Sequence, residues 1–419
     1  MTNPHSRVDL LLRILSDRRE SSAVCRQASS DWGEVVDAAV RHDLAPLLFK
    51  RLKESDARVC VPADAWERLR LAYFASARRN VQLYRELRTV LRCLRSSGIK
   101  VIVLKGACLA EAVYGDVALR PMCDNDIMVP RADLARAEAL MLGMGGIHLK
   151  QHGQAAPGAQ CGDGEPSNGE TKHARPVLIR DLAIELHWTI VAPTGPVRVV
   201  PASLWERARP ALTAGVEVLS LSPEDLLLHL CLHFCYQHGC VGLRHLCDIA
   251  ETVHHFRDDL DWPQVKQSAR EWDASRYAGL SLRLAKDLLG APVPEDTPSE
   301  LVPRGINARL LGQATECVLA QQGYDDWSLL PFRNRLGGRW SLARVKALRD
   351  AIFLPRKELA QRYPRARDSM HLWPYYVRRS ADLLRSYGRA TLQQGLRLTR
   401  VRKRESTSSL DGWLKSGKP

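Results

Sequence analysis

The sequence predicts an α+β fold, with a small mixed-sheet core flanked by N-terminal helices and a larger C-terminal helical region. Short β-branched runs alternate with apolar-periodic segments between residues 96 and 220, an order typical of strands and helices packed in layers. The residues before and after this stretch follow a helical apolar period instead. A chain of 419 residues with 45% hydrophobic residues can form two or three domains with their own cores.

The N-terminal helical region is assigned to residues 1–95. Residues 7–56 carry helical apolar stripes, and Pro62 interrupts that pattern. Asp64 is then placed to cap a long helix, and Gly98 is placed to end it. We expect this helix to be the platform against which the sheet packs, with most of its arginines in solvent.

The core is assigned to residues 96–220, and its first part alternates between strand and helix. The predicted elements are a strand at 100–104, a helix at 106–113, a strand at 125–129, a helix at 131–142 and a strand near 147–149.

A segment without an apolar period interrupts this core. Residues 151–174 are rich in Gly, Pro, Ser and Gln, so we expect a flexible insertion there. Residues 175–179 and 182–190 should pair as a hairpin, because each is strand-like and a polar pair separates them. Residues 191–214 are predicted to be rich in loops.

The C-terminal helical domain is assigned to residues 221–400. Its first helix has a clear start, because Ser222 suits the N-cap, Pro223 suits the first helical position and Asp225 completes a pattern like a capping box. Residues 401–419 are predicted to be a basic, disordered tail. The other predicted helices are 264–289, 306–322, 341–362 and 372–400.

Histidines and cysteines are interleaved where the C-terminal domain begins. His229, His233 and His238 fall in or just after its first helix, and His245 falls on the next one. A zinc site is conceivable, but there is no CxxC pair and the spacing matches no common zinc finger. We therefore predict two packed helices with small buried thiols and with core or capping histidines.

Charge and composition limit the classes of function. A net charge of +14 attracts phosphates, nucleic acid or anionic lipid without distinguishing among them. No apolar run reaches the length that spans a bilayer and the N-terminus lacks a signal-peptide core, so we expect a cytoplasmic protein. The eleven cysteines form no regular secreted framework and are expected as reduced thiols.

The stretch with the most chemical content runs from Lys105-Gly106, at the end of one predicted strand, to an Asp-x-Asp pair on the next. Asp124 and Asp126 project from the same face of that strand while Asn125 points away, because side chains alternate along a strand. Two such carboxylates can chelate Mg²⁺ beside substrate phosphates. An Asp-x-Asp pair alone is common in solvated turns, but a strand–helix–strand context and a basic residue favour a metal site.

A third carboxylate lies on a later predicted strand. Glu185 is flanked by Ile184 and Leu186, so it faces the opposite side together with Ala183 and His187. An acid within an apolar strand is costly to bury unless it is paired or bound to a metal. A half-buried strand with Glu185 on its wet side is the equally consistent alternative.

As a set, these motifs resemble the uncharacterised nucleotidyltransferase family of the polymerase-β-like superfamily. The resemblance covers roughly residues 40–260 and includes the helix that begins at Ser222. Members of the superfamily usually have a Gly-Ser pair about ten residues before the first Asp, whereas here Gly106 precedes Asp124 by eighteen residues. Asn125 also replaces the apolar residue that usually separates the two acids. The resemblance is carried by Leu104-Lys105-Gly106, Tyr114, Arg120-Pro121, Asp124-x-Asp126, Glu185-Leu-His-Trp188 and Leu221 to His233.

The resemblance implies a small nucleotidyltransferase core and a metal-dependent enzyme that moves a nucleoside monophosphate (NMP) group from an NTP to an acceptor. It implies that the catalytic residues Asp124, Asp126 and Glu185 hold two Mg²⁺ or Mn²⁺ ions. The family occurs in bacterial polysaccharide and peptide-natural-product gene clusters. A sugar, peptide or other small-molecule acceptor is therefore implied.

Three further residues are candidate contacts to the NTP phosphates. Lys105 and Arg120 supply positive charge, and Gly106 lets the backbone approach a phosphate closely. The alternatives are a strand-end lysine in solvent and a loop arginine that braces Asp116 or Asp124. Tyr114 is expected to pack rather than to stack on a base.

Two other classes of function stay open. A basic helical nucleic-acid-binding protein is supported by the pI of about 9.4 and the arginine-rich long helix, although aromatic residues make up only 6% of the chain. The basic segment 373–379 could instead bind a membrane surface or a partner protein.

Overall fold

The computed structural model describes residues 6–16, 32–55, 57–148, 171–180, 182–319 and 372–377, together with Leu410, Trp413 and Leu414. The chain divides into two compact units, residues 1–324 with 408–419, and residues 325–407. In the second unit, the described residues form one short helical segment. The sheet and its flanking helices belong to the first unit.

Among the described residues, seven strands form one mixed sheet, which confirms the predicted α+β class. Its order is β3-β4-β5-β2-β1-β7-β6. β2 pairs with β5 and β1 with β7 in parallel, and the other neighbours are antiparallel. β2 therefore lies at the centre of the sheet. The strands are β1 (Ile102–Val103), β2 (Asp124–Met128), β3 (Ile147–His148), β4 (Val177–Ile179), β5 (Leu182–His187), β6 (Arg209–Thr213) and β7 (Val216–Ser220).

Helices precede and interrupt the first strands. The longest, α4, buries one apolar stripe with the sheet residues in a shared hydrophobic cluster, which confirms it as the platform. Its N-cap is Pro62, and Asp64 lies inside the first turn, so the predicted cap was wrong. There the Asp64 charge faces the positive end of the helix dipole. The helices are α1 (Ser6–Ser16), α2 (Trp32–Arg41), α3 (Ala45–Glu54), α4 (Ala63–Ser96), α5 (Lys105–Cys108) and α6 (Leu134–Gly143).

The prediction of a loop-rich passage at 191–214 was wrong, because a short helix, α7 (Pro201–Arg207), and the strand β6 form there. β6 and β7 make a hairpin that turns at Ala214 and Gly215, both with positive φ. Arg88 Nε donates to the Ala214 carbonyl at 2.6 Å, and the Ala214 N–H donates to the Glu111 carboxylate at 2.9 Å. These distant partners fix the turn, and the half-exposed edge strand β6 carries only a weak apolar pattern.

The helical region begins with α8 (Pro223–Cys231), where Ser222 Oγ accepts from the Asp225 N–H at 3.2 Å, as predicted. The single helix predicted at 264–289 is two helices, because Asp273 adopts a left-handed conformation between them. None of the described helices has the length and apolarity needed to cross a bilayer. The remaining helices are α9 (Leu243–His255), α10 (Trp262–Glu271), α11 (Ser275–Leu289), α12 (Thr297–Leu301) and α13 (Ala308–Leu319).

Two helices end in π-helical turns. α5 continues as Leu109–Val113, and α8 continues as Leu232–Gln237. In the second of these turns, Cys235 forms a disulfide with Cys240, so the expectation of reduced thiols was wrong for this pair. The two cysteines meet because the turn brings the chain back on itself within five residues.

Several predicted segments fall partly or wholly outside the described residues. These are 151–170 of the insertion, the helix at 341–362, most of 372–400, and most of the tail. The last four residues of the insertion are described and lie against β5: the Ala174 N–H donates to the Leu186 carbonyl at 2.9 Å, and the Trp188 N–H donates to the Lys172 carbonyl at 3.1 Å.

A buried ion pair ties the loop after α5 to helix α9. Arg120 donates to both carboxylate oxygens of Asp248, from Nε at 2.9 Å and from Nη2 at 2.8 Å. Tyr114 Oη donates to the same carboxylate at 2.9 Å. Both charged side chains are nearly inaccessible to water. The sheet core and the helical region are therefore held together by charge-assisted bonds as well as by apolar packing.

We expect Asp248→Asn to lower the free energy of unfolding by about 3–5 kcal/mol, because it leaves the buried Arg120 guanidinium without the carboxylate that accepts from it twice. Urea denaturation would measure this. Tyr114→Phe removes one bond of the same group and should cost about 1 kcal/mol. The exposed Asp259→Asn serves as the control, with a change within about 0.5 kcal/mol. A loss for Asp248→Asn no larger than that of the control would contradict this role.

Candidate active site

The register between β2 and β5 places three potential ligands together. The two strands are parallel, with Asp126 opposite Glu185 and Met128 opposite His187. Paired residues on neighbouring strands point to the same face about 4.8 Å apart. Asp126, Glu185 and His187, which we term the carboxylate–histidine cluster, each offer a ligand atom, and these atoms lie within 4.8 Å of one another. Asp126 and Glu185 are 59 residues apart in sequence, and the sheet brings them together.

His187 binds both acids of this cluster. Its Nε2 lies 2.8 Å from Asp126 Oδ1 and 3.4 Å from Glu185 Oε2. His173 packs edge-on against the His187 ring, with ring centroids 5.1 Å apart. The sequence placed His187 on the same face as Glu185 but did not identify it as a site residue. The alternation of side chains along β5 was the signal that could have identified it.

Lys105 supplies the nearest positive charge. It begins α5 directly after β1, which runs antiparallel to β2, and its Nζ lies 3.0 Å from Asp126 Oδ2. The predicted alternative of a strand-end lysine in solvent was wrong, because Lys105 is only 8% exposed. Burial opposes the ammonium form, but the nearby carboxylates outweigh it and raise the pKa of Lys105.

The same charges set the state of the acids. Burial would raise the pKa of Asp126, but the Lys105 charge and the His187 bond outweigh burial and hold it well below its usual range. Glu185 behaves similarly, since its bond with His187 outweighs burial and the Asp126 charge, and its pKa is lowered. The cluster is therefore charge-compensated by side chains of the protein itself.

Asp124 stands slightly apart. It projects from the same strand as Asp126, but within the described part of the chain its carboxylate takes part in no hydrogen bond or ion pair. Burial and then the Asp126 charge raise its pKa to about 6, with partial relief from Lys105. Asp124 is thus the acid of this site with the least compensation.

Lys172 is a site residue that sequence reasoning missed. Its Nζ donates to Gln237 Oε1 at 3.0 Å. Burial, and then the charge of Lys105, lower the pKa of Lys172 to about 8, and the pull of Asp126 and the other acids only partly offsets this. The residue lies at the end of the insertion, where local composition gives no indication of contact with the sheet.

The other two predicted phosphate contacts come from different segments, Gly106 from the start of α5 and Arg120 from the loop that follows α5. Gly106 is buried, and a Cβ built on it would lie 3.4 Å from Met122 Sδ and 3.5 Å from Arg120 Nη1. Arg120 braces the loop as the alternative supposed, but through Asp248 rather than through Asp116 or Asp124. Tyr114 packs and bonds to Asp248, consistent with its expected packing role.

A second cluster lies on the helical side. His233, His238 and His245, which we term the three-histidine cluster, have ring centroids 4.4, 4.9 and 4.8 Å apart. Burial, together with positive charges that include Lys105, lowers the pKa of all three, to about 4 for His238. The two predicted packed helices are present, but the sequence did not predict that these rings converge.

Comparison with known proteins gives one family and one kind of solved structure. Residues 28–290 match the model of a family described as an uncharacterised nucleotidyltransferase, a range that contains the whole sheet and both clusters. A solution structure of the antibiotic-resistance factor ANT(2'')-Ia is 15% identical and covers 49% of this chain and 97% of its own, with a TM-score of 0.33. A crystal structure of ANT(2")-Ia in complex with adenylyl-2"-tobramycin is also 15% identical in sequence. Its match covers 46% of this chain and 98% of the ANT(2")-Ia chain, with a TM-score of 0.33. No curated protein sequence matches the chain.

We expect Lys105→Met to destabilise the protein more at pH 8 than at pH 5. Without this ammonium the folded-state pKa values of Asp124 and Asp126 rise. A carboxyl whose pKa is higher in the folded state than in the unfolded state lowers the free energy of unfolding as the pH rises toward that pKa. At pH 5 such a group keeps its proton more readily and the loss is smaller. Urea denaturation at both pH values would measure the difference.

Millimolar Mg²⁺ should restore part of the stability that Lys105→Met loses at pH 8, because a dication would replace the missing charge. The exposed Lys100→Met is the matched control and should show no pH-dependent difference. A loss that is equal at pH 5 and pH 8 would show that Lys105 does not compensate these acids.

Proposed function

Because the chain belongs to the uncharacterised nucleotidyltransferase family, we propose that its NMP transfer takes place at the carboxylate–histidine cluster and depends on a divalent cation. As a nucleotidyltransferase, the protein moves an NMP group from an NTP to an acceptor. The observation that carries the proposed location is the in-register pairing of Asp126 with Glu185 on two parallel central strands. A rigid sheet holds both carboxylates without relying on loops.

The residues present fit a divalent cation. Carboxylate oxygens are the ligands that Mg²⁺ and Mn²⁺ prefer, and the His187 nitrogen in the same group suits Mn²⁺ better than Mg²⁺. We propose Asp124, Asp126 and Glu185 as ligands and add His187 to them. Asp124 supports this assignment because burial and the neighbouring Asp126 charge raise its pKa, a penalty that a bound cation would relieve. When bound, the cation would polarise the transferred phosphoryl group and lower the pKa of the acceptor hydroxyl.

Two lysines are proposed to bind the triphosphate. Lys105 and Lys172 act electrostatically on the same carboxylates from separate chain segments, so two positive charges lie near the cluster. Their charge would offset that of the incoming phosphates. Lys172, with its pKa lowered to about 8, is mostly protonated at pH 7, and an anionic phosphate would favour that form further.

In the absence of a cation, His187 is proposed to orient the acids through its Nε2, which would turn to the ion once one is bound. Its Nε2 lies within reach of both carboxylates, so one ring fixes the distance between β2 and β5 side chains. Gly106 is proposed to allow close approach of a phosphate to the start of α5. The Arg120 guanidinium lies next to Gly106, and we propose that it supports the α5 start while its bond to Asp248 holds it in place.

The proposed acceptor is a sugar, a peptide or another small molecule in polysaccharide or peptide-natural-product biosynthesis, which rests on the family alone. Nucleic-acid binding through α4 is less favoured. Three arginines of this helix form ion pairs with acidic neighbours: Arg68 with Asp37, Arg70 with Glu67 and Arg95 with Glu217. These pairs reduce the charge that α4 offers to a phosphate backbone.

We expect NTP to raise the melting temperature of the wild type only when Mg²⁺ or Mn²⁺ is present, because ligand binding stabilises the native state by mass action. Asp126→Asn and Glu185→Gln should abolish this cation-dependent shift and lower NMP transfer by at least about 100-fold. Thermal shift with each NTP gives the readout without a known acceptor. Glu217→Gln, at an exposed position on β7, should retain the shift. An equal shift for Asp126→Asn, or for the wild type with EDTA, would refute this location of the site.

Gly106→Ala should change the affinity for NTP without lowering the stability of the fold. The added Cβ would make only ordinary contacts, and alanine favours a helix, so we expect the free energy of unfolding to stay the same or to rise by up to about 1 kcal/mol. NTP should nevertheless bind about 10–100-fold more weakly if a phosphate approaches this backbone, as measured by isothermal titration calorimetry with Mg²⁺. Gly143→Ala, where a Cβ meets open space, is the control. Unchanged NTP affinity for Gly106→Ala would remove Gly106 from the phosphate site.

A further inference from the structure

The three-histidine cluster is built by a reversal of the chain between α8 and α9. His233 lies in the π-helical turn that ends α8, His238 follows directly after that turn, and His245 lies in the first turn of α9. Gly242 adopts φ +102, a conformation open to glycine, and so lets the chain turn back. Helix-end geometry therefore brings the rings together, and each ring offers a nitrogen within 4.8 Å of the other two.

The hydrogen bonds around Gln237 fix the proton of His233. Gln237 Nε2 donates to the Ile190 carbonyl at 3.1 Å, and Gln237 Oε1 accepts from Lys172 Nζ. The amide oxygen therefore faces His233 Nδ1, at 3.1 Å, and can only accept. His233 must donate from Nδ1, which leaves the lone pair of its Nε2 available. Metal-binding histidines are oriented in this way, with the far nitrogen donating to an oxygen.

We propose that His233, His238 and His245 bind a first-row transition-metal ion, with Zn²⁺ as the preferred ion, at a site separate from the cation site of the transfer reaction. Three imidazoles and an open fourth position form a donor set that zinc accepts and that Mg²⁺ does not favour. Zinc–nitrogen bonds of about 2.0–2.1 Å place tetrahedral ligand atoms about 3.4 Å apart. Small side-chain rotations would thus close the cluster on an ion.

The surrounding charges indicate what completes the site. Lys105, Arg244 and Arg120 all act on His245, and Lys172 acts with Lys105 on His238. A dication here is opposed by these cations, so an anionic fourth ligand such as hydroxide is favoured over a neutral one. His229 does not supply the fourth position, because its ring centroid is 6.5 Å from that of His233 and it lies outside the group of converging nitrogens.

A metal at this position would link the three-histidine cluster to the carboxylate–histidine cluster through Gln237 and Lys172. It would tie the turn at the end of α8 to α9 and thereby fix Gln237, which holds Lys172 next to the carboxylates. The ion would therefore act as a positioning element for the transfer site.

The test uses the full chain, loaded with Zn²⁺, desalted without thiol reagents and analysed by mass spectrometry for metal content. We expect about one zinc per wild-type chain, and a fall to background in His238→Ala and His245→Ala. Asp126→Asn should keep its zinc, which separates this site from the carboxylate–histidine cluster. His255→Ala, an exposed histidine on the same helix, is the matched control and should also keep its zinc.

Further measurements test the geometry of the site and the folding of the variants. Co²⁺ bound to the wild type should give the visible absorption of a tetrahedral site. Circular dichroism should show that His238→Ala, the variant of the most exposed ligand, is folded. Gln237→Ala keeps all three ligands and should bind Zn²⁺ about 10–100-fold more weakly. The proposal is overturned if the wild type retains less than about a tenth of an equivalent of zinc. It is also overturned if folded His238→Ala retains wild-type zinc, or if Asp126→Asn alone loses it. None of these outcomes measures NTP binding at the carboxylate–histidine cluster, so the proposed function stands or fails by its own thermal-shift experiment.

Discussion

The parallel, in-register pairing of β2 with β5 is the constraint on which the rest of the site depends. It places Asp126 opposite Glu185 and delivers His187 to the same face. Because backbone hydrogen bonds set that register, a slip of β5 by one residue would turn Glu185 and His187 to the face opposite Asp126. Both strands are buried, so the arrangement is held by the centre of the sheet rather than by mobile loops.

Burial of these acids requires compensation, and the chain supplies it from distant segments. Lys105 comes from the helix after β1, and Lys172 comes from the segment before β4. Gln237, in the turn after α8, links Lys172 to the three-histidine cluster. Polar contacts therefore run from the carboxylate–histidine cluster into the helical region, and the Arg120–Asp248 pair connects the same two regions. Mutations in either region should consequently affect the other.

Both helices that approach the site end in π-helical turns. The turn after α5 precedes the loop that carries Arg120, and the turn after α8 carries His233 and Gln237. A π-helical turn accommodates an extra residue and changes the direction of the side chains that follow, which is why such turns are frequent at functional sites. In this chain they follow two fully buried helices and lead into segments that carry polar side chains of the site.

The sequence alone determined the features that depend on local rules. Period-two alternation predicted that Asp124 and Asp126 share one face, and capping preferences predicted the Ser222 start of α8. The family resemblance was confirmed over the whole of its predicted range. The tertiary structure alone decided which distant groups meet, because pairing register and chain reversals are set by the whole sheet and leave no local periodicity. Those features are the position of Lys172, the Arg120–Asp248 pair, the β6–β7 hairpin and the convergence of His233, His238 and His245.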